Sequence, residues 1–163
     1  MSAVDYSKLF DIDALGEGDE EEALELKKLY DEARRYIGSF RWHGEIERAL
    51  FGLGIGGVVG VFLVELAPAA PDVDPILWVV VGDLPPAYLS AEDAPEPDLA
   101  LEVYIREMRR WVEAVTSGTD LADLIPVNAP PTIENAVELE KRLNLLETEI
   151  LPWYRQGDDD EQQ

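Results

Sequence analysis

A short hydrophobic run in the middle of the chain constrains the possible folds most strongly. Ile76 to Val81 is rich in β-branched and aromatic side chains, and it stops abruptly at Gly82 and Asp83, just before Pro85 and Pro86. Residues that favour strands, followed by residues that favour turns, predict a buried strand. Proline has a fixed φ angle and no amide hydrogen, so the exit from this strand is fixed as well.

The preceding segment predicts a partner for this strand. Gly57 to Ala67 contains the same kinds of side chain and is typical of a central strand. The connection from Pro68 to Pro75 has about eight residues, whereas a helical crossover between parallel strands needs about a dozen or more. We therefore expect two antiparallel neighbours.

Apolar residues recur with helical spacing in three further segments, at about 20–37, 98–118 and 132–152. Asp98 is expected to cap the second helix, and Pro152 is expected to end the third. Short antiparallel strands combined with separate helical segments predict an α+β fold, in which a small antiparallel sheet is covered by two or three helices.

The glycine-rich stretch before the first strand has two interpretations. Gly52, Gly54 and Gly57 formally match the G-x-G-x-x-G pattern of dinucleotide-binding proteins. That pattern must follow a strand and open a helix, whereas the residues after Gly57 favour a strand. We therefore expect a flexible or hairpin-like loop here, reached through an irregular segment at 39–50.

We expect one folded domain with loose ends. With 163 residues, of which 47% are apolar, the chain can bury a core without disulfides or metal. The expected divisions are a loose acidic N-terminal arm at 1–19, a single α+β domain at 20–155 and a disordered acidic tail at 156–163. The first residues lack the basic and apolar regions of a secretory signal, and the longest apolar run, Leu50 to Val64, contains five glycines. These features predict a cytoplasmic protein without a membrane segment.

The net charge of −22, from 35 acidic and 13 basic residues, limits the kinds of partner. It opposes binding to nucleic acid and to anionic membranes, and it favours a basic protein. Three interpretations stay open: a strongly solvated surface, a surface that docks on a basic protein and, as a special case of the second, mimicry of nucleic-acid phosphates.

The residue types give no pattern for catalysis, so we expect no catalytic residue, no metal and no cofactor. The chain has no cysteine, which excludes disulfides, thiol nucleophiles and thiolate metal sites. His43, the only histidine, is a candidate for ligand binding, together with Asp83 and Tyr88 at the strand exit. Structural roles compete with this one: His43 could be a surface or partly buried side chain, and Asp83 could accept backbone N–H bonds in its own turn.

Aromatic residues supply candidates for protein binding. Trp42, Trp153 and Tyr154 are expected to be exposed, and tryptophan and tyrosine are enriched at the energetic centres of interfaces. Trp78 and Trp111 are expected in the core, because the first lies in the predicted strand and the second on the apolar face of the second helix.

The strand exit also resembles a known group of sequences. The segment from Gly82 to Tyr88 is similar to the motif Gly-Asp-Leu-Pro-x-x-Tyr, which follows a hydrophobic strand in a group of small bacterial proteins of unknown function. The resemblance covers about Val58 to Ser117 and implies a small α+β domain with helices packed on a sheet, without an activity, cofactor or partner. The chain differs from that group at Pro86, where a polar residue is usual, and in its longer acidic N-terminal extension.

Three functional hypotheses follow. The charge and the missing catalytic pattern favour a non-enzymatic protein-interaction domain, of which an acidic inhibitor or immunity-type protein for a basic partner is one form. The first alternative is an enzyme or small-ligand binder with a site near Asp83. The second is a structural or housekeeping domain whose acidity serves solubility only. The interaction hypothesis predicts a concentrated acidic face, and the solubility hypothesis predicts acidic residues dispersed over the surface.

Overall fold

The structure is a computed structural model that describes residues 4–12, 20–40, 45–67, 75–125, 127 and 129–161, with the backbone alone at 20 and 157–161. Its strands form one five-stranded antiparallel sheet in the order β1-β2-β3-β4-β5. The strands are β1 (Phe10–Asp11), β2 (Glu45–Ile55), β3 (Val59–Ala67), β4 (Ile76–Gly82) and β5 (Ala87–Ser90).

One helix lies between β1 and β2 in the chain, and the others follow β5. The helices are α1 (Glu20–Gly38), α2 (Pro97–Ser117), α3 (Ile133–Leu145) and α4 (Leu151–Glu161), with a π-helical turn at Leu146–Ile150 that joins α3 to α4. Single 3-10 turns lie at Tyr6–Lys8 and Ala91–Asp93. The predicted α+β fold, an antiparallel sheet covered by helices, is confirmed.

Helices cover both faces of the sheet, which explains why its central strands are hydrophobic at almost every position. On β4, Leu77 and Val79 point towards α1, whereas Trp78 and Val80 point towards α2, α3 and α4. Trp78 is fully buried, as its position in the predicted strand indicated. A strand with one face in water would alternate apolar and polar residues, so the continuous run at 76–81 reflects burial on two sides.

Strand β2 occupies most of the region predicted as an irregular segment and a glycine-rich loop, so that prediction is wrong. A Cβ atom on Gly52 would lie 2.7 Å from the Cβ atom of Pro97, so glycine lets α2 approach the sheet closely. Only residues 56–58 form the turn to β3. The resulting hairpin occupies the position at which a dinucleotide-binding fold would begin a helix.

The start of α2 differs from the prediction in a way that matters for its packing. Glu96 is the N-cap residue and Pro97 the first helical residue, so the prediction that Asp98 caps the helix is wrong. Asp98 is instead 8% exposed, and its Oδ2 accepts a hydrogen bond from Arg155 Nε at 3.0 Å. Its other carboxylate oxygen has no hydrogen-bond partner among the described residues.

The C-terminal helix continues through Pro152, where the sequence predicted its end. The N–H group of Leu151 donates to the carbonyl oxygen of Leu146, five residues back, as in a π-helix. The wider turn gives the proline ring room beside the preceding carbonyl groups, with which it would collide in a regular α-helix. Residues 156–161, expected to belong to a disordered tail, are the last turns of this helix.

The described part of the N-terminal arm contacts the sheet and the start of α2. Phe10 pairs with Phe51 in β2, and the N–H group of Asp5 donates to the carbonyl oxygen of Pro95 at 2.8 Å. Lys8 Nζ lies 2.6 Å from a carboxylate oxygen of Glu96. The arm is therefore attached by backbone pairing and polar contacts, while the Phe10 side chain is 52% exposed.

The tight turn after β4 generates the first prediction. Gly82 has a φ angle of +139°, and a Cβ atom there would overlap the carbonyl oxygen of Val58. Gly118 also has a positive φ angle, +71°, but no atom lies within 4 Å of its potential Cβ. We expect Gly82→Ala to lower the free energy of unfolding in urea by about 3 kcal/mol or more, and Gly118→Ala by about 1 kcal/mol. Equal losses would contradict the close approach of Val58.

The contact between α4 and α2 generates the second prediction. Arg155→Met leaves the buried Asp98 carboxylate without its cation, and we expect a loss of about 2 kcal/mol, below the range for fully buried pairs because Arg155 is partly exposed. Arg110→Met is the matched control, since its pair with Glu107 lies at the surface and contributes less than about 0.5 kcal/mol. Thermal and urea unfolding measure both losses. If Arg155→Met left the free energy of unfolding unchanged, the buried Asp98 carboxylate would not depend on this cation.

Candidate functional site

Asp83 lies in the turn after β4, and its side chain is exposed. Its Oδ2 atom is 3.3 Å from Arg142 Nε in α3, and its own N–H group donates to the carbonyl oxygen of Val58 at 3.0 Å. The carboxylate therefore pairs with a helix and forms none of the expected hydrogen bonds to its own turn within the described residues. It borders a shallow groove of about 490 Å³ that also contains Lys28 and Arg35 of α1.

Tyr88 packs into an aromatic cluster between β5 and the end of α1. Its ring centroid lies 5.2 Å from that of Phe40 and 6.3 Å from that of Tyr36. The Tyr36 and Phe40 rings contact each other edge to face, with centroids 5.1 Å apart. Such contacts stabilise aromatic pairs beyond the area that they bury, so Tyr88 serves packing on this face of the sheet.

The ligand-binding candidates do not form one site in the described structure. Asp83 and Tyr88 line separate cavities, although they are close in the chain. His43 and Trp42 lie outside the described residues. The sequence did not show that Asp83 and Tyr88 line different cavities. The directions of their side chains depend on the residue at which β5 begins, and the sequence does not specify that residue.

The two C-terminal aromatic candidates differ in exposure. Trp153 is 52% exposed, as expected for a protein-binding side chain, whereas Tyr154 is half-buried and packs against the larger core. Trp111 is buried, as its position on α2 indicated.

A cleft of about 620 Å³ lies beside the edge strand β5 and is here called the β5 cleft. It lies between β5, the 3-10 turn at Ala91–Asp93, α2 and the loop that follows α2. Its volume falls within the range of binding pockets, about 300 to 1,000 Å³. Five apolar side chains line it, of which Leu77 and Leu89 are buried and the others half-buried: Leu77, Leu89, Val103, Leu124 and Ile125.

Two hydrogen bonds, one buried and one partly buried, hold the walls of the β5 cleft in place. Trp78 Nε1 donates to the carbonyl oxygen of Ala94 at 2.8 Å, and the Tyr104 hydroxyl donates to that of Pro85 at 2.6 Å. Burial raises the pKa of Tyr104, so its hydroxyl keeps the proton that it donates. These bonds tie the segments on both sides of β5 to the core.

A side-chain turn shapes the remaining wall. Asp120 Oδ1 accepts a hydrogen bond from the N–H group of Ala122 at 3.0 Å, and the N–H group of Leu124 donates to the carbonyl oxygen of Leu121 at 3.1 Å. An aspartate that accepts from the second following residue is the usual way in which a side chain stabilises such a turn. The turn directs Leu124 into the cleft.

Carboxylates surround the apolar floor of the β5 cleft. Asp93 and Asp123 are exposed and belong to no salt bridge of the described residues, whereas Glu107 is paired with Arg106 at 3.4 Å and with Arg110 at 3.1 Å. Among the described residues, Arg106 is the only cation that lines the cleft. The described cleft is thus apolar at its floor and negatively charged at its rim.

Most of the basic side chains are neutralised within the molecule. Every described lysine and arginine except Lys27 and Arg35 lies in a salt bridge with an aspartate or glutamate. The acidic residues outnumber them, so many carboxylates face solvent without a cation. The exposed acidic residues outside any described salt bridge are Glu32, Glu45, Glu47, Glu92, Asp93, Glu113, Asp120, Asp123, Glu134, Glu140 and Glu149. They are spread over α1, β2, α2, α3 and the loops, as the solubility hypothesis predicts.

Two further properties bear on the kind of site. Among the described residues, no group of three or more acidic or histidine side chains is arranged to hold a metal ion. None of the described helices combines the length and the apolar character needed to cross a membrane.

Comparison with known proteins adds no relative: no family model, no curated protein and no solved structure matches the chain. The resemblance to bacterial proteins with the Gly-Asp-Leu-Pro-x-x-Tyr motif therefore stays a prediction.

Of the residues that line the β5 cleft, the sequence analysis singled out Tyr88 as a ligand-binding candidate, and the others escaped it. Asp93 and Asp123 are separated by the whole of α2, and neither belongs to a recognisable motif. Val103 looks like one more apolar residue beside a helix face that packs on the sheet. For these residues the signal in the sequence was indirect, since Leu124 and Ile125 are apolar residues in a loop.

The aromatic cluster generates a prediction about pH. Burial, and secondly the nearby Tyr88, raise the pKa of Tyr36 to about 12. The folded state therefore favours the neutral phenol, and this contribution to stability is present below about pH 10, the ordinary tyrosine pKa, and is lost as the pH rises towards about 12. Between about pH 10 and about pH 12, we expect the free energy of unfolding to fall less in Tyr36→Phe than in the unaltered protein. Urea unfolding at several pH values, with the difference at pH of about 8 as the baseline, tests this. Equal losses in the two proteins would contradict the assignment of this pH dependence to Tyr36.

Proposed function

We propose that the protein is a non-enzymatic interaction domain of the cytoplasm that binds a basic protein, as an acidic inhibitor or immunity-type protein would. The unpaired carboxylates of the described residues are dispersed, so the concentrated acidic face that this hypothesis predicted is not found there. The observation that supports the proposal is instead the internal pairing of the cations. Because almost all described lysines and arginines are neutralised by neighbours, the charge left for a partner is negative in nearly every direction.

Such a surface would act mainly on the rate and selectivity of association. Opposite charges steer two proteins together and raise the association rate, and like charges reject acidic partners and nucleic acid. Exposed pairs each contribute only a fraction of a kcal/mol, so a partner of useful affinity also needs apolar contacts. Trp153 is one exposed aromatic side chain that could supply them.

A purification from the native host's lysate tests the proposal. The tagged full chain serves as bait, washed at about 50 mM and then about 500 mM salt, with the retained proteins identified by mass spectrometry. We expect one basic protein to be retained at low salt and to be weakened at high salt, since salt screens interactions between exposed charges.

A charge variant provides the control. Glu134, Glu140 and Glu149 are exposed and outside any described salt bridge, so E134Q/E140Q/E149Q removes charge without breaking a pair. With the identified partner, this variant should associate about two-fold more slowly at about 50 mM salt while its dissociation rate changes little. No specific partner under either wash would overturn the proposal and favour the hypothesis in which the acidity serves solubility only.

A further inference from the structure

The β5 cleft combines an apolar floor with carboxylates at its rim that are unpaired among the described residues. Its floor is apolar, with Val103, Leu124 and Ile125 half-buried and accessible from solvent. Its rim carries Asp93 and Asp123, neither of which is compensated by a described cation. The neighbouring groove beside α2 and α4 shares Asp93, Val103 and Arg106 with the cleft. It differs in its other carboxylates, because Glu102 and Glu147 are paired with arginines.

This inference rests on the proposed function: we propose that the β5 cleft is the place where the basic partner docks, through a short segment with one apolar side chain flanked by lysine or arginine. The apolar side chain would contact Val103, Leu124 and Ile125. The flanking cations would lie beside Asp93 and Asp123 at the rim.

Charge complementarity selects this occupant over a second copy of the chain. Each chain has a net charge of −22, so two copies repel each other at long range, and a second copy would bring further carboxylates to a rim that is already negative. A basic segment instead gains from burial of its apolar side chain and from attraction at the rim. The two contributions are separable, because different residues of the cleft provide them.

The test uses the full chain and three acetylated pentapeptides as probes. They are Arg-Arg-Leu-Arg-Arg, Arg-Arg-Ser-Arg-Arg and Glu-Glu-Leu-Glu-Glu, each labelled with fluorescein for anisotropy titrations at about 50 mM salt. We expect the leucine peptide with arginines to bind most tightly and the serine peptide to bind about ten-fold more weakly, the loss expected for one buried leucine. The glutamate peptide should not bind.

Two charge variants with equal loss of charge locate the site. D93N/D123N removes the rim carboxylates of the cleft, and E140Q/E149Q removes two exposed carboxylates of α3 and the π turn. All four side chains are exposed, so we expect both variants to fold. The leucine peptide should bind D93N/D123N about five-fold more weakly and E140Q/E149Q less than two-fold more weakly.

Amide chemical shifts provide a readout independent of affinity. In the 15N-labelled protein, the arginine–leucine peptide should shift the amides of Ser90, Val103, Leu124 and Ile125. Shifts confined to α3, or equal effects of the two variants, would overturn the cleft as the docking place and leave the basic-partner proposal standing. Cleft shifts that depend on protein concentration without peptide would make a second copy the occupant and overturn the inference. If neither arginine peptide binds, the cleft inference falls, whereas the proposed function is decided separately by the purification from lysate.

Discussion

Burial of β3 and β4 on both faces is the constraint on which the rest of the structure depends. Their side chains alternate between α1 on one side and α2, α3 and α4 on the other, and Phe62, Trp78 and Val79 are all fully buried. Each such side chain stabilises the fold by about 1.5 to 3 kcal/mol when it leaves water. A sheet of this kind is stable only if helices cover both of its faces, which α1 does on one side and the helices after β5 do on the other.

That requirement explains several local features that look unfavourable in isolation. Gly52 weakens a strand but lets α2 approach the sheet, and the π turn before Pro152 keeps one helix continuous long enough for Arg155 to reach Asp98. Each of these features lowers the stability of its own segment, and packing over a larger area compensates for that loss. The β5 cleft arises from the same arrangement, because β5 is shorter than β4 and leaves apolar side chains of both layers at the edge of the sheet.

Much of the fold was predictable because its signals are local. The run at 76–81, the helical spacing of 98–118 and the proline-rich connection each depend on neighbouring residues, and they predicted the central strands, the antiparallel pairing and the main helix. The errors fell where a distant contact decides the structure. A proline such as Pro152 usually ends a helix, and glycines such as those before β3 usually indicate a loop. Here packing against other elements overrides these preferences. The candidate site was less predictable, since Asp83 and Tyr88 line different cavities and the cleft joins residues from four separate segments.

The sequence by itself determined the α+β class, the strongly negative charge and the absence of thiol chemistry, because composition and short-range periodicity fix these properties. The tertiary structure decided which carboxylates are neutralised, since Arg142 with Asp83 and Arg155 with Asp98 are pairs between elements distant in the chain. It also decided where an apolar surface meets unpaired charge. Such a meeting depends on which side chains approach one another in space, and the order of residues along the chain does not specify that distance.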